Sequence, residues 1–298
     1  MKISAVLIGK NESAMLPRVL GSLQGIDEII YCDTGSTDNS VEVAHRYVKQ
    51  TYFYQWDDSF ARARNAAKTH ATGDWILSID CDEILHSLKD VYEAAEIAES
   101  NGILGVDVKM IPETGPGGFL FPRLFKNDPR VWWEGNVHNH LSIAGEEIGD
   151  VMITYGYSPA HDIDPERSLR ILEKDVLVDK KGGREVYYLG REYLYRARYE
   201  ECVQVLGKYV QTSVNLPEKA DAFLCMSRAY WQMKDHQSAR DAIVQALIIN
   251  ANFKEAILFM ADLAGKDSGN ERWEANAAQW LKMAETADNR DVLFVRAV

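Results

Sequence analysis

The feature of this sequence that most limits its fold is a change of pattern near Asp164. Before that point, apolar runs of strand length alternate with helical patterns; after it, long helical patterns take over. The strand-like runs include ISAVLIG (3–9), DEIIYCD (27–33) and DWILSID (74–80). Because continuous apolar strands with helical crossovers form parallel sheets covered on both faces, the first half is predicted to be an α/β domain.

The second half contains an internal repeat. Tyr199, His236 and Trp273 follow one another at 37-residue steps, and each begins a similar segment, YEECVQVL, HQSARDAIVQAL or WEANAAQWL. This pattern resembles tetratricopeptide-type helix pairs, whose period is about 34 residues, with an ordinary helical bundle as the alternative. We therefore predict an α/β domain over residues 1–160, a helical linker over 161–183 and a TPR-like all-α repeat domain over 184–298.

Composition and charge exclude several classes of protein. With 298 residues, of which 46% are hydrophobic and 26% charged, the chain can bury a sizeable core. Its net charge of -12 argues against binding nucleic acid or anionic lipid through a basic surface. The four cysteines lack C-x-x-C spacing, and no run of about 18 apolar residues suggests a transmembrane segment. We expect a cytoplasmic protein with reduced thiols.

Three polar stretches follow predicted strands: GKNE (9–12), DTGSTD (33–38) and DCDE (80–83). In an open parallel sheet, ligands bind beyond the carboxyl ends of the strands. The sequence has neither a P-loop nor a G-x-G-x-x-G after the first strand, so a cradle of backbone amides for phosphate is not indicated. A diphosphate would instead need a divalent cation and an arginine. The paired aspartates 80 and 82 are available for the cation, and Arg62 or Arg64 for the phosphate.

The paired aspartates stand at the end of the run DWILSID. In an extended strand, residues two apart point the same way, so Asp80 and Asp82 would face one ligand while Cys81 points into the fold. A solvated turn at the end of the strand is the alternative.

Several longer stretches together carry a family resemblance: VLIGKNE, DEIIYCDTGSTDNS, WDDSFARARNAA, GDWILSIDCDEIL, FPRLFKN and WWEGNVHNHL. They resemble the family-2 glycosyltransferases of the GT-A fold, over about the first 210 residues. The resemblance implies a Rossmann-like, mostly parallel nucleotide-sugar domain. It also implies transfer of a sugar from a nucleoside diphosphate donor, usually with inversion and with Mn²⁺ or Mg²⁺.

The resemblance further implies roles for single residues. On the nucleotide-sugar side, Gly9, Asn11 and Glu12 would line the nucleoside, Asp33 would hold the uracil or ribose, Arg64 the base or phosphates, and Asp80 the ribose or donor sugar. Asp82 would bind the metal. His138 is either a third metal ligand or a polar contact to substrate, with a structural histidine as the alternative.

Two departures from the family pattern affect the choice of catalytic base. Asn139 follows His138 where family members often carry glutamate, and Thr154 stands where they often carry histidine. Glu134, in the stretch RVWWEGNVHNHL, is therefore our candidate general base, and Asp162 is a weaker one. The neighbouring tryptophans 132 and 133 either stack on a sugar face or form a core wall.

The leading functional hypothesis is a metal-dependent glycosyltransferase that uses a UDP-sugar and an acceptor the sequence does not name. A sugar-nucleotide pyrophosphorylase is a rival, but it would need a Gly-rich, arginine-bearing loop where this chain has GKNESAMLP. A second rival is a helical-repeat scaffold with a degenerate nucleotide-binding domain. A homodimer through the helical repeats fits either the enzyme or the scaffold, because stacked repeats leave terminal apolar faces to cover.

Overall fold

The computed structural model describes residues 1–115, 117–266 and 271–287. The chain divides into two compact units, Met1–Glu166 and Arg167–Val298. The end of the predicted repeat domain, residues 288–298, lies outside the described residues. Over the described ranges, no helix combines the length and the apolar character that crossing a membrane requires.

The first unit contains ten described strands and four α-helices. The strands are β1 (Ile3–Gly9), β2 (Glu28–Asp33), β3 (Thr51–Phe53), β4 (Trp75–Ser78), β5 (Glu83–Leu85), β6 (Gly105–Pro112), β7 (Phe119–Lys126), β8 (Trp133–Glu134), β9 (His140–Leu141) and β10 (Glu146–Tyr155). The helices are α1 (Leu16–Ser22), α2 (Ser40–Ala44), α3 (Phe60–Lys68) and α4 (Leu88–Asn101), and a 3₁₀ turn spans Pro159–Ile163.

Eight of the strands form one sheet in the order β3-β2-β1-β4-β7-β6-β10-β5, and β8 and β9 form a separate hairpin. The pairs β1–β2, β1–β4, β2–β3 and β6–β10 are parallel, whereas β7 pairs antiparallel with β4 and β6, and β5 with β10. The prediction of a mostly parallel α/β sheet followed by helices is confirmed.

The side chains of β1 explain why both faces of the sheet are covered. Ile3, Ala5 and Leu7 are fully buried in the core cluster that includes α1 and α4. Val6 points the other way, into the cluster that includes α3 and the β8–β9 hairpin. This alternation with a period of two fixes which helices cover which face. It leaves the carboxyl ends of the parallel strands as the open edge.

The second unit is helical over its described residues. It contains α5 (Arg167–Glu173), a π-helical turn (Lys174–Val178), α6 (Arg184–Tyr195), α7 (Tyr199–Thr212), α8 (Leu216–Gln232), α9 (His236–Ile249), α10 (Lys254–Lys266) and α11 (Glu271–Thr286). Helices α6 and α7, α8 and α9, and α10 and α11 pack as successive pairs. Such pairs are typical of tetratricopeptide-type repeats.

The 37-residue step seen in the sequence marks equivalent positions in these pairs. Helix α7 begins at Tyr199 and α9 begins at His236. Four buried residues of α7 recur 37 positions later as buried residues of α9: Cys202 as Ala239, Val205 as Ala242, Leu206 as Ile243 and Tyr209 as Ala246. The repeat is therefore a repeat of buried faces.

Candidate functional site

The carboxyl ends of β1 and β2 bring together the first two polar stretches of the predicted site. The Gly9 carbonyl accepts hydrogen bonds from the amide (2.8 Å) and the hydroxyl (3.1 Å) of Thr34. A Cβ on Gly9 would lie 2.9 Å from both the Cys81 sulfur and the Tyr31 hydroxyl. Only glycine therefore fits where the first strand reaches the edge, and Cys81 packs there as the sequence predicts.

Asn11 joins the two polar stretches. Its φ is +60°, in the left-handed region that asparagine tolerates better than most residues. Its side-chain oxygen accepts a hydrogen bond from the Thr37 amide at 2.7 Å, and its own amide donates to the Ser36 hydroxyl at 2.9 Å. Asn11 thus orders the loop after β2, a role that sequence reasoning did not give it.

Asp33 ends β2 with one carboxylate oxygen engaged and one open. Its Oδ2 accepts hydrogen bonds from the amides of Gly35 (2.9 Å) and Ser36 (3.0 Å). Its Oδ1 is buried and has no hydrogen-bond partner. Because a buried acceptor without a partner costs about 1–3 kcal/mol, an N–H or O–H of a ligand would be favourable there. This geometry is compatible with the predicted contact to a base or ribose.

Asp80 is held between two arginines. Its Oδ1 accepts a hydrogen bond from Arg64 at 2.6 Å and its Oδ2 from Arg123 at 2.9 Å. Burial disfavours the charged carboxylate, but the two arginines outweigh burial and hold the pKa of Asp80 well below its usual range. Arg62, the other candidate for this position, instead pairs with Asp57 at the surface. Asp80 is therefore ionised and already neutralised by protein groups.

Arg123 and Glu83 belong to this cluster, although sequence reasoning assigned a role to neither of them. Arg123 lies on β7 and donates to Glu83 at 2.6 Å as well as to Asp80, and Glu83 accepts from the Asp80 amide at 2.7 Å. Burial raises the pKa of Glu83 to about 8, although Arg123 favours its ionised form. An arginine inside the apolar run FPRLF was the available signal, because a charge in a buried strand requires a partner.

Asp82 has surroundings unlike those of Asp80. The expectation of an extended strand through Asp82 is wrong: β4 ends at Ser78, and the Glu83 amide donates to the Asp80 carbonyl at 3.1 Å across a turn. Burial, and then the nearby charge of Asp80, raise the pKa of Asp82, while His161 acts in the opposite direction. No arginine is hydrogen-bonded to the Asp82 carboxylate in the described chain, so its charge still lacks a strong counter-charge.

His161, on the segment after β10, has a favourable electrostatic interaction with Asp82, and sequence reasoning missed it. The Gly156 amide donates to the Asp82 carbonyl at 2.9 Å, which anchors the start of this segment. The ring of Tyr157 meets the His161 ring edge-on at 5.2 Å, and its hydroxyl donates to Asp162 at 2.5 Å. Asp162, the weaker candidate base, is therefore engaged by a neighbour in its own segment.

The chemistry of the donors around Asp82 fits a divalent cation only in part. Among residues 1–115, 117–266 and 271–287, no group of three or more His, Cys, Asp or Glu side chains is arranged to hold a metal ion. However, Mg²⁺ commonly binds through one or two carboxylates together with waters and substrate phosphates. Asp82 and His161 therefore offer one carboxylate and one imidazole, and any further ligands of a cation would have to come from water or substrate. His138 is exposed on the β8–β9 turn with φ +50°, and its role as a ligand stays a prediction.

The β8–β9 hairpin is fixed to α3 beside the arginine cluster. The amide of Trp133 donates to the Asn65 side chain at 2.8 Å, and the Asn65 amide group donates back to the Trp133 carbonyl at 2.9 Å. Arg64 lies over the buried Trp133 ring at 5.1 Å. Trp133 is therefore a core wall, whereas 45% of Trp132 is exposed.

Glu134 lies on the outer face of this hairpin. Trp133 pairs with buried Leu141, so the next cross-strand pair, Glu134 and His140, points the other way. Glu134 accepts a hydrogen bond from the Trp132 indole at 2.8 Å, and its other oxygen lies 3.6 Å from His140 Nε2. The carboxylate is accessible and oriented, and its role as base stays a prediction.

In an open α/β sheet, ligands bind at the carboxyl ends of the strands, which is where this sheet places its acidic groups and arginines. Residues 4–141 of this chain carry a Glycosyl transferase family 2 domain, because they match the model of that family.

Curated relatives include both glycosyltransferases and a repeat protein. The chain is 41% identical over 143 residues to a TPR repeat-containing protein of Synechococcus elongatus, covering 46% of this chain and 34% of that protein. It is 25% identical over 225 residues to the SPbeta prophage-derived glycosyltransferase SunS of Bacillus subtilis, covering 70% of this chain and 53% of the relative. The chain thus spans between about a third and about half of the length of these two relatives.

Solved structures with similarity to the chain include S. aureus TarS 1–349 in complex with UDP-GlcNAc. That match has a TM-score of 0.48 and 15% identity, and it covers 81% of this chain and 90% of the other. Similarity at this level assigns no ligand to the present chain.

Proposed function

We propose that this chain is a metal-dependent glycosyltransferase that moves a sugar, with inversion, from a nucleoside diphosphate donor to an acceptor nucleophile. A UDP-sugar is the proposed donor, and Mn²⁺ or Mg²⁺ is the proposed cation. The observation that carries the proposal is the contrast between the two aspartates. Asp80 is neutralised by Arg64 and Arg123, whereas Asp82 keeps a raised pKa and has no hydrogen-bonded arginine. Such a carboxylate favours a cation brought by a ligand.

The donor side of the proposed site uses groups that are already ordered. The open oxygen of Asp33 would accept a hydrogen bond from the base or the ribose. The Nε atoms of Arg64 and Arg123 are buried without partners, so each arginine retains a donor that a ligand oxygen would satisfy. Asp80 holds both guanidinium groups in place. Donor binding would therefore require little rearrangement of these side chains.

The leaving group of the reaction is the nucleoside diphosphate, whose negative charge grows as the sugar bond breaks. Asp82 and His161 would hold the divalent cation, which when bound would supply positive charge to the diphosphate oxygens. Arg64 and Arg123 add fixed positive charge in a partly buried setting, where electrostatic stabilisation is stronger than in water.

The acceptor side of the proposed reaction is assigned to the β8–β9 hairpin. Inversion requires the acceptor to attack from the side opposite the leaving group, and a base to take its proton. Glu134 is the proposed base, since it is exposed and its carboxylate is oriented by Trp132. Trp132 would offer an exposed aromatic face to a sugar. The helical unit is proposed to serve in self-association or partner binding.

The first test uses the metal dependence of donor binding and turnover. Asp82→Asn keeps the size of the side chain but removes its charge. We expect the variant to lose the Mn²⁺ dependence of UDP binding and to lower transfer, or donor hydrolysis without acceptor, by about 10²-fold or more. The variant should remain folded, because a charge repelled by Asp80 has been removed.

The matched control is Asp57→Asn, which removes an exposed carboxylate that pairs with Arg62 away from this cluster. The dependence of its UDP affinity and transfer rate on Mn²⁺ concentration should match that of the wild type. Identical Mn²⁺ curves for wild type and Asp82→Asn would refute the proposed cation site. A panel of nucleotide sugars left intact at every Mn²⁺ and Mg²⁺ concentration would favour the repeat-scaffold alternative.

A further inference from the structure

The segment that carries His161 follows β10 and is attached near its start to two distant parts of the chain. The 3₁₀ turn Pro159–Ile163 contains no buried residue, so apolar packing does not hold it. Two hydrogen bonds to distant parts of the chain precede it: the Gly156 amide donates to Asp82, and the Ser158 hydroxyl donates to Glu12 Oε2 at 2.5 Å. These two hydrogen bonds therefore hold the backbone at the start of the turn.

Ser158 is the link between the second of these hydrogen bonds and the turn. It is 1% exposed, and its hydroxyl also accepts a hydrogen bond from the Ala160 amide at 3.2 Å. Its carbonyl accepts a hydrogen bond from the His161 amide at 3.0 Å. A shift of Ser158 would therefore shift the backbone of His161 directly.

Glu12, which accepts the hydrogen bond from Ser158, is held rigidly in a position where its charged form is unfavourable. The backbone of Glu12 is fixed, because its amide donates a hydrogen bond to the Ser40 hydroxyl at 2.8 Å. Its side chain is buried. Burial raises the pKa of Glu12 to about 7; the Ser158 hydrogen bond opposes this rise, and Asp82 and Asp80 add to it. A buried carboxylate so close to other carboxylates is unfavourable for stability, which points to a local role.

We propose that Glu12 and Ser158 form a positioning pair that holds His161 beside Asp82. Glu12 is then a support of the cation site and not a contact to the nucleoside. The catalytic consequence of this pair rests on the proposed function, whereas the positioning itself is a property of the protein without ligand.

The positioning is tested by hydrogen exchange of the amides of residues 156–163 in the whole, unliganded chain. Ser158→Ala removes the donor to Glu12, and the His161 amide should exchange about tenfold faster, as expected for the loss of a hydrogen bond worth roughly 1.4 kcal/mol. Glu12→Gln keeps an acceptor oxygen for Ser158 and should leave exchange near the wild-type rate. Arg18→Ala is the control, because it breaks the exposed ion pair with Glu113 near Gly156.

The consequence for the cation is tested by titrating UDP with and without Mn²⁺. In Ser158→Ala the enhancement of UDP affinity by Mn²⁺ should fall about tenfold, while UDP affinity without Mn²⁺ stays unchanged; Arg18→Ala should behave as wild type. Wild-type exchange in Ser158→Ala would overturn the positioning pair. Faster exchange with a full Mn²⁺ enhancement would overturn its role at the cation site. If the wild type itself shows no Mn²⁺ enhancement, the proposed cation chemistry fails, and the exchange rates alone decide the positioning.

Discussion

Glu12 couples the candidate site to pH through its protonation in the folded state. Burial raises its pKa from 4.5 to about 7, so the folded protein binds this proton more tightly than the unfolded chain does. The resulting contribution to stability is complete below about pH 4.5 and is lost as the pH rises through about 7. As the pH rises between these two pKa values, the wild type should lose stability relative to a variant whose side chain at position 12 is neutral at every pH.

Glu12→Gln is that neutral variant. The stability of the wild type relative to Glu12→Gln should fall between pH 5 and pH 8, by at most on the order of 3 kcal/mol. Urea unfolding of both proteins across this pH range measures the difference. Glu113→Gln, which changes an exposed glutamate, should show no such trend. A constant difference between wild type and Glu12→Gln would contradict the raised pKa.

The residues of the site differ in how far sequence can predict them. Gly9 and Asp33 end strands, Asn11 and Asp80 follow strands, and parallel strands end at one edge of a sheet, so the proximity of these residues was predictable. Arg123 was not, because its position depends on β7 lying next to β4, a pairing that no local pattern encodes. The same holds for any side chain that a long connection brings back to the ligand-binding edge of the sheet: its position cannot be predicted from the local sequence.

At the scale of elements, the hairpin β8–β9 depends on one side chain of α3. Asn65 both donates to and accepts from the backbone of Trp133, and no other residue type offers both groups at that length. The hairpin carries Glu134, so its placement should matter for the acceptor and not for the nucleotide. The sequence indicated that the stretch RVWWEGNVHNHL is important, but it did not predict that Asn65 attaches this hairpin to α3.

We expect Asn65→Ala to lower the turnover number about tenfold or more and to leave the affinity for UDP nearly unchanged, since two hydrogen bonds of about 1 kcal/mol each are lost. Asn65→Asp, which can still accept from Trp133, should have an intermediate effect. Glu134→Gln, on the same hairpin, should lower turnover by about 10²- to 10⁴-fold without changing the melting temperature. Normal turnover in Asn65→Ala would separate the hairpin from catalysis.

At the scale of the whole molecule, the boundary between the units lies at residue 166. The region predicted as a linker contains α5, whose Leu169, Ile171 and Leu172 are buried. Helix α5 packs against α6, and its Glu173 accepts hydrogen bonds from Tyr193 (3.2 Å) and Arg198 (2.8 Å). Amphipathic spacing alone could not show that α5 packs with the repeat helices, because a linker helix and a repeat helix have the same spacing of apolar residues.

Two truncated chains distinguish these boundaries. Residues 1–183 keep α5 but lose α6, so apolar side chains of α5 become exposed; residues 1–166 remove both helices. We expect the 1–166 chain to be the more soluble of the two and to bind less of an apolar dye. Equal solubility and dye binding would mean that α5 does not depend on the helices that follow it.

The short connection between β4 and β5 has a mechanical consequence for the first unit. Three strands, β7, β6 and β10, lie between them in the sheet, yet only residues 79–82 join them. Five Cα steps reach at most about 18 Å, whereas four strand spacings of a flat sheet measure about 19 Å, and the turn at Asp80 shortens the reach further. The part of the sheet from β4 to β5 must therefore be curved, so that the edge strand β5 approaches β4. A motion that flattened this part of the sheet would have to stretch the acidic turn, so the groups proposed to bind the donor also hold the curvature between β4 and β5.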